Sequence, residues 1–318
     1  MSELISGRTR VCGLFGFPVE HSFSPAMHNA AFRHLGLDFV YVAFAVHPRE
    51  LERAVAGIRA LNLAGVNVTV PHKEKVIPYL DELTAGARLA GAVNTIVHRD
   101  GRLVGHNTDG AGFVRFLTDD AGFNPAGKRV LFLGAGGAAR AVAVHLALAG
   151  VEQVLVANRT LSRAAELAAL INEETPARAW AVPWPAKDDR VLPEGLERKP
   201  PDGRDPEEGK FTFVPDTNDG DIKELTAFVD LVVQTTPLGM HPREDTCLDF
   251  PFDCLRPGQV VVDLVYNPPR TLFMERAVHS GARVYNGLGM LLYQGVLAFE
   301  LWTGEEAPVE VMRRALPF

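Results

Sequence analysis

The sequence predicts an α/β protein made of two α/β domains, the first built on a mainly parallel sheet. Three observations carry this. Apolar runs of strand length alternate with segments of helical spacing through residues 1–112. A second series opens at Lys128, where RVLFLGAGGAARAVAVHLALAG reads as strand, glycine turn and helix. The 318 residues are also more than one core usually holds. The expected division is residues 1–112, completed by 288–318, and residues 113–287.

The elements follow in order. VCGLFG (11–16) reads as a first strand. Ser24 and Pro25 make an N-cap followed by proline at the first helical position, so a helix should run from Ser24 to the region of His34. Tyr41 to Val46 is a second strand, and ELERAVAGIRALN (50–62) carries apolar residues at helical spacing. Residues 65–70 are the third strand, within GVNVTVPHKEKV. Side chains alternate faces along a strand, so Val66, Val68 and Val70 should share a buried face, leaving Asn67 and Thr69 to look out together beside Lys73. Residues 73–90 are expected to be mostly helical. VNTIVHRDGRLVGHN reads as a hairpin turning at Asp100 and Gly101, with a helix starting near Gly110.

In the second unit VEQVLVANRT comes next as a strand, and DLVVQTTPLGM (230–240) and VVVDLVYNP (260–268) are further strands with loops at their C-terminal ends. Residues 183–220 hold seven prolines, four glycines and many charges, with FTFV (211–214) the only strand-like run. This stretch is expected to be a surface insertion, partly disordered. The apolar helix LGMLLYQGVLAFELWTG (288–304) needs a large partner surface and should pack back on the first domain.

Composition removes several classes of function. A net charge of -7, with no block of lysines and arginines, argues against nucleic-acid and membrane partners. Cys12, Cys247 and Cys254 are too few for a disulfide framework and have no metal spacing, so no metal is expected and the cytoplasm is the default location. MSELISGRTRVCGLFGFPVEH reads as a first strand, not a signal peptide, because Pro18, Glu20 and His21 follow its apolar run. No apolar stretch reaches the roughly 18 residues that a membrane helix needs.

The glycine turn is the first chemical signal. Gly134, Ala135, Gly136, Gly137 and Ala138 follow an apolar strand and open a long helix, in the setting that a dinucleotide site requires. Amides at that helix start would take a pyrophosphate. An NAD site usually has an acid about 20 residues on, at the end of the next strand. Here that strand ends in Asn158, Arg159 and Thr160, and Arg163 lies just beyond, so guanidinium groups are offered to a 2′-phosphate and NADP is the expected cofactor. Both arginines could instead be solvated residues at a helix start, where cations are unfavourable unless an anion is present.

The first domain concentrates polar groups at its strand ends: Ser22 and Ser24, Lys73, Asn94 in GAVNTI and Asp109 in HNTDG. Each has a local explanation as a cap, a turn or a solvated charge. Together they point to a shared cleft. Beside NADP the chemistry should be hydride transfer between an alcohol and a ketone, which needs a group to move the hydroxyl proton, and Lys73 with Asp109 is the available couple. The lysine could act as a proton shuttle or as a fixed charge on the developing alkoxide. Gln294 lies on an apolar stripe with Leu291, Ala298 and Leu301, so its amide should have a buried partner, from the backbone or from a polyhydroxylated substrate.

With these residues assembled, the chain resembles the shikimate dehydrogenase family along nearly its whole length. HSFSPAMHNAAF, NVTVPHKE, GAVNT, HNTDG, GAGGAARA with NRT, TTPLGM, DLVYNP and NGLGMLLYQG stand in the family's order. The resemblance implies a C-terminal Rossmann domain that binds NADP and an N-terminal domain that binds substrate, the two facing each other across a deep active-site cleft. It implies NADPH-dependent reduction of 3-dehydroshikimate to shikimate, in aromatic amino acid biosynthesis, by a monomer or homodimer. Ser22 and Ser24 would hold the carboxylate, and Asn67, Thr69, Asn94, Tyr266 and Gln294 would contact the ring. Leu264 and Gly287 would lie near the nicotinamide. Some quinate-active relatives carry threonine at one serine position, so the two serines lean toward shikimate. The rival readings are a quinate/shikimate dehydrogenase of broader scope and a non-catalytic NADP-binding regulator on the same fold.

Overall fold

The computed structural model describes residues 5–184 and 222–317. Its first sheet begins with β1 (Arg10–Gly16), α1 (Ser24–Leu35), β2 (Phe39–Ala45), α2 (Leu51–Ala60) and β3 (Gly65–Val68). The two helices are crossovers between parallel strands, and β1 lies between β2 and β3. Next come β4 (Glu82–Leu83), α3 (Ala85–Ala90), β5 (Thr95–Arg99), β6 (Arg102–His106) and α4 (Thr108–Asp119). β5 runs antiparallel to both β3 and β6, β4 pairs in parallel with β6, and the sheet order is β2-β1-β3-β5-β6-β4. Asp100 (φ 52°) and Gly101 (φ 76°) form the two-residue hairpin turn, which needs left-handed backbone at both positions.

The second sheet comprises β7 (Arg129–Leu133), α5 (Gly137–Leu148), β8 (Gln153–Asn158), α6 (Leu161–Glu174), β9 (Arg178–Pro183), α7 (Ile222–Phe228), β10 (Leu231–Gln234), β11 (Val260–Asp263), α8 (Leu272–His279) and β12 (Arg283–Tyr285). All its pairings are parallel, in the order β12-β11-β10-β7-β8-β9. The strand order reverses between β7 and β10, and the C-terminal ends of strands at such a reversal are where open α/β sheets bind their ligands. α9 (Leu288–Thr303) and α10 (Val309–Arg314) end the chain.

α9 packs back on the first sheet, as its apolar surface requires. Trp302 donates from Nε1 to the Ile96 carbonyl in β5 at 3.0 Å. α4 and α9 approach so closely that a Cβ on Gly112 would lie 2.5 Å from the Gln294 backbone nitrogen. Only glycine fits there.

Three local expectations need correction. Residues 73–90 are not mostly helical: one turn, closed by the Val76 amide donating to the His72 carbonyl at 2.9 Å, gives way to a 3-10 turn over Ile77–Tyr79 and then to β4. Pro78 has no N–H to continue a helix, and α3 starts afresh where Thr84 accepts from the Ala87 amide. Val70 does not share the buried face of Val66 and Val68. Strand pairing stops at Val68, and Val70 is 67% exposed where the chain turns at Pro71. Ser24 starts α1, but Phe23 occupies the N-cap and no side chain caps the helix. The insertion expected over 183–220 falls, beyond Pro183 and Trp184, outside the described residues, as does FTFV.

Among the core groups His28 is fully buried, its ring 4.6 Å from that of Tyr41 and nearly parallel to it, and neither ring nitrogen has a hydrogen-bond partner among the described residues. Burial holds it neutral, pushing its pKa down from 6.5 to about 3. The folded form therefore refuses a proton that the unfolded chain accepts, so stability is complete above about pH 6.5 and falls as the pH drops from there toward 3. We expect His28→Phe to flatten this loss, which for one such group approaches about 1.4 kcal/mol per pH unit. Urea unfolding at pH 7 and pH 5 measures it, and equal pH dependence in the two proteins would refute it.

Candidate active site

The site is built on two chain reversals. After β3 the chain turns at Pro71, and the Lys73 carbonyl is pinned by the Val93 amide at 2.8 Å. After β6 the Asn107 side chain accepts from the Gly110 amide at 3.1 Å and caps α4, which places Asp109 in the helix's first turn. Asp109 is therefore not the cap. Its Oδ2 instead accepts from Lys73 Nζ at 2.6 Å, with the carboxylate side chain 16% exposed and the lysine side chain 33% exposed. Two charges from loops 36 residues apart are thus joined.

Beneath that pair lies a buried run of hydrogen bonds. Tyr41 donates from its hydroxyl to Asn67 Oδ1 at 2.8 Å, and Asn67 Nδ2 donates to Thr95 Oγ1 at 2.9 Å and to the Asn94 carbonyl at 3.2 Å. The Thr95 and Thr108 hydroxyls are 2.9 Å apart. Asn94 accepts from the Thr108 amide at 2.6 Å, donates to Thr108 Oγ1 at 2.9 Å and reaches Gln294 Oε1 at 3.5 Å. Gln294 also donates to the Leu291 carbonyl, so its buried amide has both backbone and side-chain partners. Both hydrogens of Asn67 Nδ2 are committed within the protein, leaving its oxygen, as an acceptor, to meet a ligand.

The other predicted substrate groups stand around this run. The Ser22 hydroxyl accepts from the Ser24 amide at 3.3 Å, and both serines are half-buried at the start of α1. Thr69 is half-buried, and its methyl packs so close to Gly16 that any Cβ there would collide with it. Tyr266 lies on the loop after β11 and is 37% exposed.

The predicted cofactor residues fall at the ends of the second sheet. Gly134 takes φ 113°, and a Cβ there would lie 2.5 Å from the Thr235 hydroxyl, so the turn requires glycine on both counts. A Cβ on Gly136 or Gly137 would meet nothing within 4 Å, and these residues with Ala138 are exposed at the start of α5, with Ala135 half-buried before them. Asn158 donates to the Thr160 carbonyl at 2.8 Å, shaping the turn that presents Arg159. Arg159 and Arg163 are exposed, the first turn of α6 contains no acid, and among the described residues neither guanidinium has an ion-pair partner. The Leu264 carbonyl abuts Gly287, whose missing side chain permits the contact. Below Leu264 the buried Asp263 carboxyl accepts from Thr271 at 2.6 Å and Gln234 at 3.1 Å, and burial pushes its pKa up to about 6 against the opposing bonds from Thr271 and Val265.

The two halves meet at α4. A Cβ on Gly110, next to Asp109, would collide with the Ala141 carbonyl of α5, and Arg140 of α5 donates to the Leu89 carbonyl at 2.9 Å. The helix that opens at the glycine turn is thus packed directly on the helix that carries Asp109. Burial lowers the pKa of His145 in this contact, while the Ala141 carbonyl and the Asp109 charge oppose that shift.

Family models match the same regions: the shikimate dehydrogenase substrate binding domain over residues 14–96, shikimate / quinate 5-dehydrogenase over 119–179, and the shikimate 5'-dehydrogenase C-terminal domain over 287–316. A shikimate dehydrogenase (NADP(+)) of Desulforamulus reducens is 53% identical over 98% of this chain and 96% of its own length. The chain belongs to the shikimate dehydrogenase family. Among solved structures, a shikimate 5-dehydrogenase of Listeria monocytogenes in complex with shikimate and NAD has a TM-score of 0.84 at 38% identity, covering 99% of this chain and 98% of that one. The ligand-free 5-ketofructose reductase of a Gluconobacter strain has a TM-score of 0.80 at 36% identity, covering 98% of each chain.

Within this shikimate dehydrogenase family member, the sequence reading missed Tyr41, Thr95, Asn107 and Thr108. Their signal was present but weak, since each is a polar residue in or beside an apolar strand, and Thr95 and Thr108 directly adjoin residues already singled out. We expect Asn107→Ala to cost about 1 kcal/mol in urea unfolding, the usual worth of an N-cap. It should also reduce turnover, because Asp109 rides on that first turn. Unchanged stability together with unchanged turnover would show that the cap does not seat the carboxylate.

Proposed function

We propose that the chain catalyses the reversible NADPH-dependent reduction of 3-dehydroshikimate to shikimate, with Lys73 and Asp109 handling the proton. The observation that carries this is the 2.6 Å Lys73–Asp109 pair, which stands over the buried amides of Asn67, Asn94 and Gln294 and beside the helix opened by the glycine turn. Family membership and the 53% identical NADP(+)-dependent relative support the reaction and the cofactor.

The cofactor-binding groups fit NADP. Gly134 to Ala138 would receive the pyrophosphate on backbone amides, and Asn158, Arg159, Thr160 and Arg163 would receive the adenosine 2′-phosphate, an anion that would offset two cations at a helix start. Leu264 and Gly287 would border the nicotinamide. When bound, the reduced cofactor supplies the hydride. The protein's task is then the oxygen: a ketone that gains hydride carries negative charge until it gains a proton. Lys73 Nζ stabilises that charge and delivers the proton, Asp109 holds the ammonium in place, and the solvent-exposed third of the lysine side chain lets water restore it. Ser22 and Ser24 would bind the carboxylate, and Asn67, Thr69, Asn94, Tyr266 and Gln294 the ring substituents.

We infer further that residues 1–112 with 288–318 form the substrate-binding domain and 113–287 the NADP-binding domain, α4 joining them. Among the described residues no helix is long and apolar enough to cross a membrane, and the three cysteines are free thiols, which supports a cytoplasmic location. A monomer or homodimer fits this reading.

Absorbance at 340 nm tests the reaction directly. Shikimate-dependent reduction of NADP, well above the rates with quinate and 5-ketofructose, is expected; comparable kcat/KM for quinate would make this a broader dehydrogenase. NADPH binding without turnover would make it a regulator. Lys73→Ala should lower kcat by roughly 10² to 10⁴ with little change in NADP affinity. A loss under about tenfold would remove the lysine from the proton step. Arg159→Ala should weaken NADP by about 10- to 100-fold while leaving NAD unaffected, the worth of a charge-assisted bond. Unchanged discrimination would give the arginine another role.

A further inference from the structure

We infer that Tyr41 is a positioning residue for the substrate: its hydroxyl fixes the orientation of the Asn67 amide and, through it, of the buried polar groups at the ring end of the site. The inference rests on the reading that Asn67 contacts the substrate ring.

Four independent contacts immobilise Tyr41. Asn29 of α1 brackets its backbone, donating from Nδ2 to the Tyr41 carbonyl and accepting from the Tyr41 amide, each at 2.9 Å. This side chain pairs with β2 as an added strand would. The ring is stacked against His28 at 4.6 Å and 12° and is also 5.9 Å from Trp302 of α9. Trp302 is itself tied to β5 through the Ile96 carbonyl. A phenol clamped from α1, β2 and α9 has one place to direct its hydroxyl.

The direction of that hydroxyl orients the rest of the buried network. Asn67 Oδ1 accepts from Tyr41, which settles which way the amide faces, so Nδ2 must donate to Thr95 and to the Asn94 carbonyl. A consistent assignment then runs from Tyr41 to Asn67, from Asn67 to Thr95 and from Thr95 to Thr108, whose hydroxyl Asn94 Nδ2 meets from the other side at 2.9 Å while also reaching Gln294 at 3.5 Å. Hydrogen bonds aligned in series reinforce one another in a buried setting. Burial also raises the phenol's pKa well above 10, so it remains a donor at any working pH. Thr95 and Thr108 are buried links, 0% and 3% exposed.

Tyr41→Phe keeps the ring stacking and removes only the hydroxyl. We expect the KM for shikimate to rise about tenfold, the order of one lost buried hydrogen bond, with kcat and the KM for NADP changed by less than about threefold. Thr95→Val, which cuts the run at its middle, should give the same split, and it decides the matter if Tyr41→Phe does not fold. In an Asn67→Ala background the Tyr41→Phe change should have no further effect on KM, because the two act through one bond. A shikimate KM raised less than about threefold, a parallel rise in both KM values, or full additivity with Asn67→Ala would overturn the inference. Wild-type protein with no shikimate-dependent NADP reduction would instead sink the parent reading.

Discussion

A buried amide must find its hydrogen-bond partners inside the protein, and the arrangement of this site is set by how Asn94 does so. Its oxygen takes the Thr108 amide at 2.6 Å, which anchors the first residue of α4, and its nitrogen reaches Thr108 and Gln294. An unsatisfied group there would cost about 1–3 kcal/mol, enough to make any other placement of α4 or α9 unfavourable. Because α4 starts where Asn94 requires, Asp109 projects one residue further on, toward the loop that carries Lys73. The ion pair is thus a consequence of a neutral amide two elements away.

The same logic connects the halves. Gly110 and Gly112 let α4 be approached from two sides, by the Ala141 carbonyl of α5 and by the backbone of α9. Each contact leaves no room for a methyl group. A helix shared in this way packs the helix opened by the glycine turn directly against the turn that carries Asp109, at the Ala141 carbonyl and the His145 ring. The Leu264 carbonyl sits against Gly287 in the same way, on a segment tied down by Asp263, Gln234 and Thr271.

Much of the fold was readable because its signals are local. The glycine turn after an apolar strand, the Asp100–Gly101 hairpin and the apolar helix from Leu288 all appear where hydrophobic period and turn chemistry place them. The failures were also local in origin. Residues 73–90 have helical composition, yet Pro78 and the pairing of β4 with β6 divide them. Val70 continues an apolar alternation past the point where pairing ends. β9 and β12 escaped notice because β9 runs into the proline-rich stretch and β12 is three residues long, too short for a period to show.

Residue types and their spacing were enough to single out Lys73 and Asp109, which the fold brings together, and the glycine turn at Gly134, since charge in an apolar setting and a turn that only glycine can make are properties of the chain itself. They could not name Tyr41, Thr95 or Thr108, whose importance lies in partners 13 to 28 residues away along the chain. Nor could they tell that Asn107, and not Asp109, caps α4 and so frees the acid for Lys73. Distances between side chains are set by packing, which depends on every element at once, whereas the pattern of a strand or a turn is set by its own few residues.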